Sequence, residues 1–393
     1  SIQQALRKGE NAVIEAGTGV GKSMAYLLPL ALLAKANNVP TGVATKTNTL
    51  LDQLVNKELP LLQQALGISY ASLKGFTHYP CLRKIERIDA QGPQQYLVNN
   101  QMVDQAPALA TLLSFIEQTD YDDIDGLKLN FKALPRYRIT STSTECLRRK
   151  CPFFGKSCFV HGARARAEHC DIVVTNHSLL FWDARFEHGL LPPIRYWVVD
   201  EAHNAEDEAR RAFSTSLSSE TVKRLIRTLT SDSSRYNPFI RAEREQVIEE
   251  AKTLLSTMLS KTRNAGVAFA IAAEEYCLSV KDLLYFDTAN KRQRYEYLDL
   301  WLNEEIIAAI RDVVAYFEEL DHSSSAQREI ALLALELREL YESLDVIFFT
   351  NKENQVYSVR LNRAKDQMKD AFVAQPLNVG QNLNEAFYSE TDT

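Results

Sequence analysis

A chain of 393 residues, 45% of them hydrophobic, is long enough for two or three domains with real cores and has a globular rather than a disordered composition. The formal net charge of −6 speaks against a uniformly basic, nucleic-acid-coating surface, so any such surface must be local. No run of 18 apolar residues occurs, Ala25 to Ala34 being the longest greasy stretch, and no signal peptide opens the chain. A soluble, cytoplasmic protein is therefore expected, with no membrane partner.

In chain order, Ile2 to Lys8 reads as the end of a helix, and Ala12 to Glu15 as a short apolar strand. A Gly-rich turn leads into a helix from about Lys22 to Ala36. A strand over Gly42 to Thr45, a helix over Thr49 to Leu66 and a strand over Ile68 to Leu73 follow. This strand–helix alternation predicts a parallel sheet covered by helices. It then stops: Gly75 to Glu168 is polar and cysteine-bearing and reads as an irregular insertion. It resumes with strands at Asp171 to Thr175 and Tyr196 to Val199. From Ala205 to about Leu344 the apolar spacing is helical, with Ile306, Ile310, Val313, Val314 and Phe317 on one face and Ile330, Leu333, Leu337, Leu340 and Leu344 on another. Val346 to Leu361, turning at Asn351 to Asn354, predicts a hairpin. Ser1 is not a start methionine and Asn382 to Thr393 run into nothing, so a piece of a longer protein is expected.

Two motifs carry phosphate chemistry. Ala16-Gly17-Thr18-Gly19-Val20-Gly21-Lys22-Ser23, between a predicted strand and a predicted helix, has the setting of a Walker A loop, with Ala16 where the pattern has its first glycine. Gly17, Gly19 and Gly21 let the backbone wrap a triphosphate, and amides such as that of Thr18 bind the anion with the helix N-terminus. Lys22 would reach the β- and γ-phosphates of ATP, and Ser23 would hold Mg²⁺. Asp200-Glu201-Ala202-His203 ends a second apolar strand. Asp200 is placed to hold Mg²⁺ and Glu201 to orient and deprotonate the attacking water. With Lys22 and His203 they make up the catalytic set. Alone such a tetrapeptide arises by chance; its pairing with the upstream loop gives it weight.

Six cysteines are present. Cys146, Cys151 and Cys158 lie within 13 residues, and Cys81 lies 65 residues upstream of Cys146. Four thiolates can hold an iron–sulfur cluster or tetrahedral zinc, spacing alone does not choose between them, and His161 could replace one cysteine in a zinc site. Cys170, before a buried strand, and Cys277, among helices, read as packed core thiols. Around the cluster, Lys128 to Arg166 holds ten Lys/Arg and one acid, Glu145. Lys132, Arg136, Arg138, Arg148, Arg149, Lys150, Arg164 and Arg166 interleave with Phe131, Tyr137, Phe153 and Phe154. Such a mixture suits phosphate neutralisation and base stacking, or a solvated face over buried aromatics.

EAGTGVGKS (Glu15 to Ser23), ATKTNTLLDQL (Ala44 to Leu54), LKGFTHYPC (Leu73 to Cys81), DIVVTNHSLL (Asp171 to Leu180) and VVDEAH (Val198 to His203), in that order, resemble the XPD/DinG family of superfamily 2 DNA helicases, with the bacterial DinG/YoaA branch closest. The resemblance implies a RecA-like P-loop α/β fold, a parallel sheet with helices on both faces, interrupted by an iron–sulfur insertion and a mainly helical arch. The boundaries it suggests are 1–74, 169–204 and 371–393 for the first motor domain, 75–168 for the four-cysteine domain and 205–370 for the arch. It implies a [4Fe–4S] cluster on Cys81, Cys146, Cys151 and Cys158, and ATP-driven 5′ to 3′ movement on single-stranded or forked DNA in repair or replication. Thr45, Lys46 and Thr47 match the motif contacting the DNA backbone, and Asn176 and His177 an element near the DNA path. Arg136, Arg138, Arg148 and Arg149 are the further DNA candidates, and a monomer is expected. The family's second motor domain, with its arginine finger, is expected beyond Thr393. Since such a finger is worth about 10³–10⁵ in rate, these 393 residues alone are expected to hydrolyse ATP negligibly. The alternatives carried beside this are a zinc- or iron–sulfur-bearing DNA-binding module without motor activity, and a zinc ATPase unrelated to DNA.

Overall fold

The computed structural model describes residues 2–17, 21–98, 101–143, 145–185, 190–218, 354–360 and 371–389, with isolated positions between 336 and 347 and residue 391. Two compact units emerge: one of Ser1–Ser143, Cys151–Phe213 and Asn378–Thr393, the other of Thr144–Lys150 and Ser214–Leu377.

In the first unit, helix α1 (Ile2–Lys8) precedes the phosphate-loop segment, and α2 (Lys22–Asn37) follows it. Strand β1 (Thr41–Thr45) leads to α3 (Asn48–Gln53), which runs through a π-helical turn at Leu54–Glu58 into α4 (Leu59–Leu66). The widened turn has a local cause: Pro60, in the first turn of α4, has no N–H to give and its ring crowds the carbonyl four residues back. Strand β2 (Tyr70–Ser72) precedes the insertion, which holds α5 (Leu82–Gln91), the antiparallel pair β3 (Gln95–Val98) and β4 (Gln101–Asp104), α6 (Ala106–Gln118), α7 (Arg136–Ile139) and α8 (Phe159–Ala167). Strand β5 (Ile172–Asn176), α9 (His177–Arg185), β6 (Tyr196–Val199) and α10 (Ala205–Ala212) complete the alternation.

The sheet order is β2–β5–β1–β6, all parallel, with Thr41 opposite both Ile172 and Tyr196. Period-2 alternation sorts its side chains onto two faces. Val43, Ile172 and Val174 join Leu27, Leu30, Leu51, Leu59 and Leu62 of the helices before β2 in one core, with Tyr196 and Val198 packed against it. On the other face α9 packs against β5, β1 and α10, and Phe181 and Trp197 approach Phe387 at ring-centroid distances of 6.3 and 6.4 Å. The expected α/β class, with helices on both faces of a parallel sheet, is what forms.

Two expectations need correction. Ala12 to Glu15 is not a strand. Residues 11–17 are irregular, Val13 is fully exposed and Ile14 half exposed, and a β-run survives only when a neighbour takes its backbone hydrogen bonds; among the described residues none does. The insertion is not irregular either. Ile85, Ile88, Leu109, Leu112, Ile124, Leu134 and Ile139 form a core of its own. The apolar residues that make it come from α5, α6, α7 and the segment around Ile124, far apart in sequence, so no single window betrays the core. In the second unit, Gln355–Arg360 (β8) is a strand paired with Ala371–Pro376 (β9), in the antiparallel order β7–β9–β8 with β7 at Thr215–Ser218; the turn expected at Asn351 and most of the run before it lie outside the described residues. The helical pattern expected through Ile306 and Leu333, and Cys277, lie outside the described residues.

One buried cation joins the insertion to the sheet. Lys74, just after β2 and 2% exposed, reaches Asp52 of α3 at 3.0 Å and Asp123 and Asp125 of the insertion at 3.1 Å each. Burial alone would lower its pKa, but the three carboxylates raise it well above the usual lysine value. Asp125 also takes Arg136 at 2.6 Å and His78 at 2.8 Å. Burial would raise its pKa, yet these partners hold it well below the usual carboxylate range. Lys74→Met should therefore cost about 3 kcal/mol in urea unfolding, because it removes the buried ammonium that Asp123 and Asp125 share, whereas Asp52→Asn, at a half-exposed position, should cost under about 1 kcal/mol. Asp125's share of stability is present in full above its unfolded value of about 3.9 and is lost as pH falls towards its depressed folded value, so Lys74→Met should flatten the acid limb of the stability–pH curve.

Candidate nucleotide site and cysteine-bearing insertion

Helix α2 begins at Lys22 directly after Gly21, whose φ of 79° is the left-handed conformation glycine takes without strain. The first turn of α2 carries no acid, so its free amides face an open N-terminus suited to an anion. Thr18, Gly19 and Val20 lie outside the described residues, and Gly17 is exposed. From the opposite side of the sequence, β6 delivers Asp200. Its N–H donates to the Ala44 carbonyl at 2.9 Å, prolonging the ladder between β6 and β1 past the last strand residue. Glu201 follows at φ 56°, a left-handed conformation uncommon for a side chain with a Cβ, which turns its carboxylate back across the strand end.

There the two motifs meet. The Lys22 ammonium donates to Glu201 Oε1 at 3.1 Å, both side chains being about one-third exposed. The Glu201 carboxyl is held below the usual range, first by that hydrogen bond and by the Lys22 charge. His203, largely exposed, approaches Glu201 Oε2 at 3.5 Å. Asp200 is held from several sides: Glu201 N–H donates to its Oδ1 at 3.0 Å, the Tyr26 hydroxyl donates to its Oδ2 at 3.2 Å, and His177, fully buried, donates Nε2–H to its carbonyl at 2.8 Å. Burial lowers the His177 pKa, keeping the imidazole neutral. Burial and then the Asp200 charge raise that of Tyr26. Lys22, Ser23, Asp200, Glu201 and His203 thus share one locality. Tyr26 and His177 complete it; the only sequence signal for Tyr26 was its place one helical turn after Lys22.

The other expected contacts divide. Thr45 is buried, its hydroxyl donating to the Thr47 carbonyl at 3.0 Å, and the Thr47 hydroxyl caps α3 by accepting from Leu50 N–H at 3.3 Å, so both are spent on local structure. Lys46 between them is exposed and close enough to influence Glu201. Asn176 donates to Asn48 Oδ1 at 2.6 Å. Arg136 is committed to Asp125 and lies over the Phe131 ring at 5.2 Å, while Arg138 is half-buried on α7. Arg148 and Arg149, exposed on a 3₁₀ turn, belong to the second unit. Arg166 and Arg164 pair with Asp122 and Glu168, so the basic stretch is partly neutralised by acids that lie outside it in sequence.

Cys81 and Cys158 each stand immediately before a helix, α5 and α8, where the dipole favours a thiolate. Cys151 and Cys158 are joined by a tight turn in which the N–H groups of Lys156, Ser157 and Cys158 all point to the Phe153 carbonyl. Burial raises the Cys158 thiol pKa, and the nearness of Cys151 and Cys81 raises it further, a mutual repulsion that a bound cation would relieve. Cys146 lies in the second unit. The donor set has the chemistry for iron or zinc, but among the described residues no group of three or more His, Cys, Asp or Glu side chains is drawn close enough to hold a metal ion. Cys170, expected in the core, is half-buried, with its thiol donating to the Arg166 carbonyl at 3.4 Å, because the strand it precedes starts at the rim of the sheet rather than within it.

Sheet order and the meeting of the two motifs define a class: an α/β domain of the RecA-like kind with a phosphate-loop motif facing an acid-bearing strand end. No family model matches the chain. Among curated proteins, an ATP-dependent helicase DinG of Mycobacterium tuberculosis (strain ATCC 25177 / H37Ra) is 35% identical over 244 residues, 58% of this chain and 37% of that protein. An ATP-dependent DNA helicase YoaA of Escherichia coli (strain K12) is 36% identical over 240 residues, 58% and 36% of the two chains. A protein named 3'-5' exonuclease DinG of Bacillus subtilis (strain 168) is 31% identical over 214 residues, 53% of this chain and 22% of that one. Over these stretches the chain is similar to the DinG and YoaA proteins, and it spans little more than a third of the length of the first two relatives. Solved chains described as XPD helicase and truncated XPD align with TM-scores of 0.46 each, at 14% and 12% identity, covering all of this chain and 55% and 89% of theirs. No helix among the described residues is long and apolar enough to cross a membrane.

Gly42 sets the spacing beneath this site. A Cβ there would overlap the six-membered ring of Trp197, which its Nε1–H bond to the Ile194 carbonyl holds at 3.0 Å. Gly42→Ala should therefore destabilise the protein by about 1–3 kcal/mol, read as a lowered melting temperature, and Trp197 fluorescence should shift with it.

Proposed function

We propose that this chain is the ATP-binding motor domain of a 5′ to 3′ DNA helicase of the XPD/DinG kind, acting on single-stranded or forked DNA in repair or replication. Its insertion would carry a [4Fe–4S] cluster on Cys81, Cys146, Cys151 and Cys158. The motor would comprise residues 1–74, 169–204 and 371–393, the cluster domain 75–168 and the arch 205–370. The observation that carries the reading is the 3.1 Å contact between Lys22 and Glu201, which brings together two motifs 179 residues apart. The names of the DinG and YoaA relatives support it.

In this reading Gly17, Thr18, Gly19 and Gly21 wrap the triphosphate with backbone amides. Lys22 exchanges Glu201 for the β- and γ-phosphates, and that exchange removes the cation that depresses Glu201. Glu201 then orients the attacking water and accepts its proton, with His203 beside it. Ser23 and Asp200 would hold Mg²⁺, which when bound neutralises charge on the phosphates. Lys46, exposed beside Glu201, would meet a DNA phosphate and so link strand binding to the electrostatics of the ATP site. A cluster would brace the turn between Cys151 and Cys158 against Cys81; the insertion's separate apolar core carries the rest of its fold.

Lys22→Ala should abolish high-affinity binding of a fluorescent ATP analogue and lower DNA-stimulated hydrolysis by on the order of 10²–10³ in the full-length protein. Parental unwinding by that variant would overturn the motor reading in favour of a DNA-binding module. Cys151→Ser should lose the brown colour, iron and acid-labile sulfide of an anaerobic preparation and impair unwinding. It should still bind nucleotide and still protect the amides of α5 and α6 from hydrogen exchange. A colourless, zinc-loaded parent protein would instead assign the thiols to zinc.

A further inference from the structure

We propose that Tyr26 is the positioning residue for Asp200, the acid assigned to Mg²⁺, a role that rests on the nucleotide reading above. Tyr26 follows Lys22 by four residues, one turn along α2, so both side chains leave the same helical face. Lys22 points to Glu201, and Tyr26, only 5% exposed, points to its neighbour Asp200. The phenol donates to Asp200 Oδ2 at 3.2 Å. One hydroxyl therefore holds a carboxylate oxygen of Asp200, the acid assigned to Mg²⁺.

The Asp200 carboxylate has a fixed donor on each oxygen: the Glu201 N–H on Oδ1 and Tyr26 on Oδ2. An ionised carboxylate has about four lone-pair sites, so each oxygen keeps capacity for a cation or its water. Two donors on opposite oxygens fix the rotation of the carboxylate plane before any cation arrives. Partners of this kind behind a metal ligand lower the cost of ordering it on binding. Without the phenol, Oδ2 loses its protein donor and the carboxylate can turn towards the Lys22 ammonium.

Tyr26→Phe removes only the hydroxyl and keeps the ring in the α2 core, so the fold is retained; a thermal melt checks this. The test titrates a fluorescent ADP analogue into the full-length protein in EDTA and across a Mg²⁺ series. For Tyr26→Phe, affinity in EDTA should stay within about twofold of the parent, while the Mg²⁺ concentration giving half of the magnesium-dependent tightening should rise about tenfold. An unchanged Mg²⁺ midpoint overturns the proposal. So does equal weakening in EDTA and in Mg²⁺, because the hydroxyl would then serve the fold or the nucleotide rather than the cation. A parent protein that binds no nucleotide in either buffer defeats the nucleotide reading itself, and the role of Tyr26 falls with it. A parent that responds to Mg²⁺ beside an indistinguishable Tyr26→Phe defeats this inference alone.

Discussion

The placement of β1 between β5 and β6 is the constraint on which everything else rests. Its register puts Thr45 opposite Asn176, Ala44 opposite Val199, and the Asp200 amide on the Ala44 carbonyl. Parallel strands in register end at the same level, so three separate sequence motifs finish along one rim of the sheet. The side chains that leave the strands there have no further ladder to join and turn to one another: Asp200 to Tyr26 and His177, Glu201 to Lys22, Asn176 to Asn48. Gly42 is what lets this arrangement close on the second face, since only a residue without Cβ leaves room for Trp197 and, beyond it, Phe387.

The same rim is joined to the insertion by a chain of polar contacts. Asn176 holds Asn48, Asn48 meets His78 at 3.4 Å, His78 holds Asp125, and Asp125 holds Arg136, with Lys74 beneath them all. The insertion has its own hydrophobic core and the sheet domain another. The hydrogen bonds between them are directional and fix an angle, which a sliding apolar contact would not.

The α/β alternation was legible in sequence because buried parallel strands are short apolar runs and the helices between them obey a 3.6 period. The strand ends β1, β5 and β6 fall within a residue of their expected limits. What escaped has physical reasons. Ala12 to Glu15 has strand composition but lacks a partner among the described residues, and pairing is not a local property. The insertion hid its core because Leu109, Leu112, Ile85 and Ile139 meet across long separations. The Lys22–Glu201 encounter could be anticipated from motif chemistry. Tyr26, Lys74 and His78 could not, since a lone tyrosine, lysine or histidine acquires meaning only from the carboxylates the fold brings to it.

Charge makes the point most sharply. Ten Lys/Arg with one acid between Lys128 and Arg166 look like a nucleic-acid surface when read along the chain. Folding sets Asp122 and Asp125, a few residues upstream, against Arg166 and Arg136, and Glu168 against Arg164. A cation already paired at 2.6 Å, as Arg136 is, must give up that carboxylate before it can gain from a phosphate, so its net contribution to strand binding is small. Lys46 faces the opposite balance: it is exposed, sits between two threonines whose hydroxyls serve the backbone, and lies near the one carboxylate whose basicity the proposed chemistry needs. A phosphate arriving at Lys46 would withdraw positive potential from Glu201 as it binds. The proposed DNA contact therefore shifts from the arginine-rich insertion to the end of β1, where Lys46 would link a bound strand to the electrostatics of Glu201.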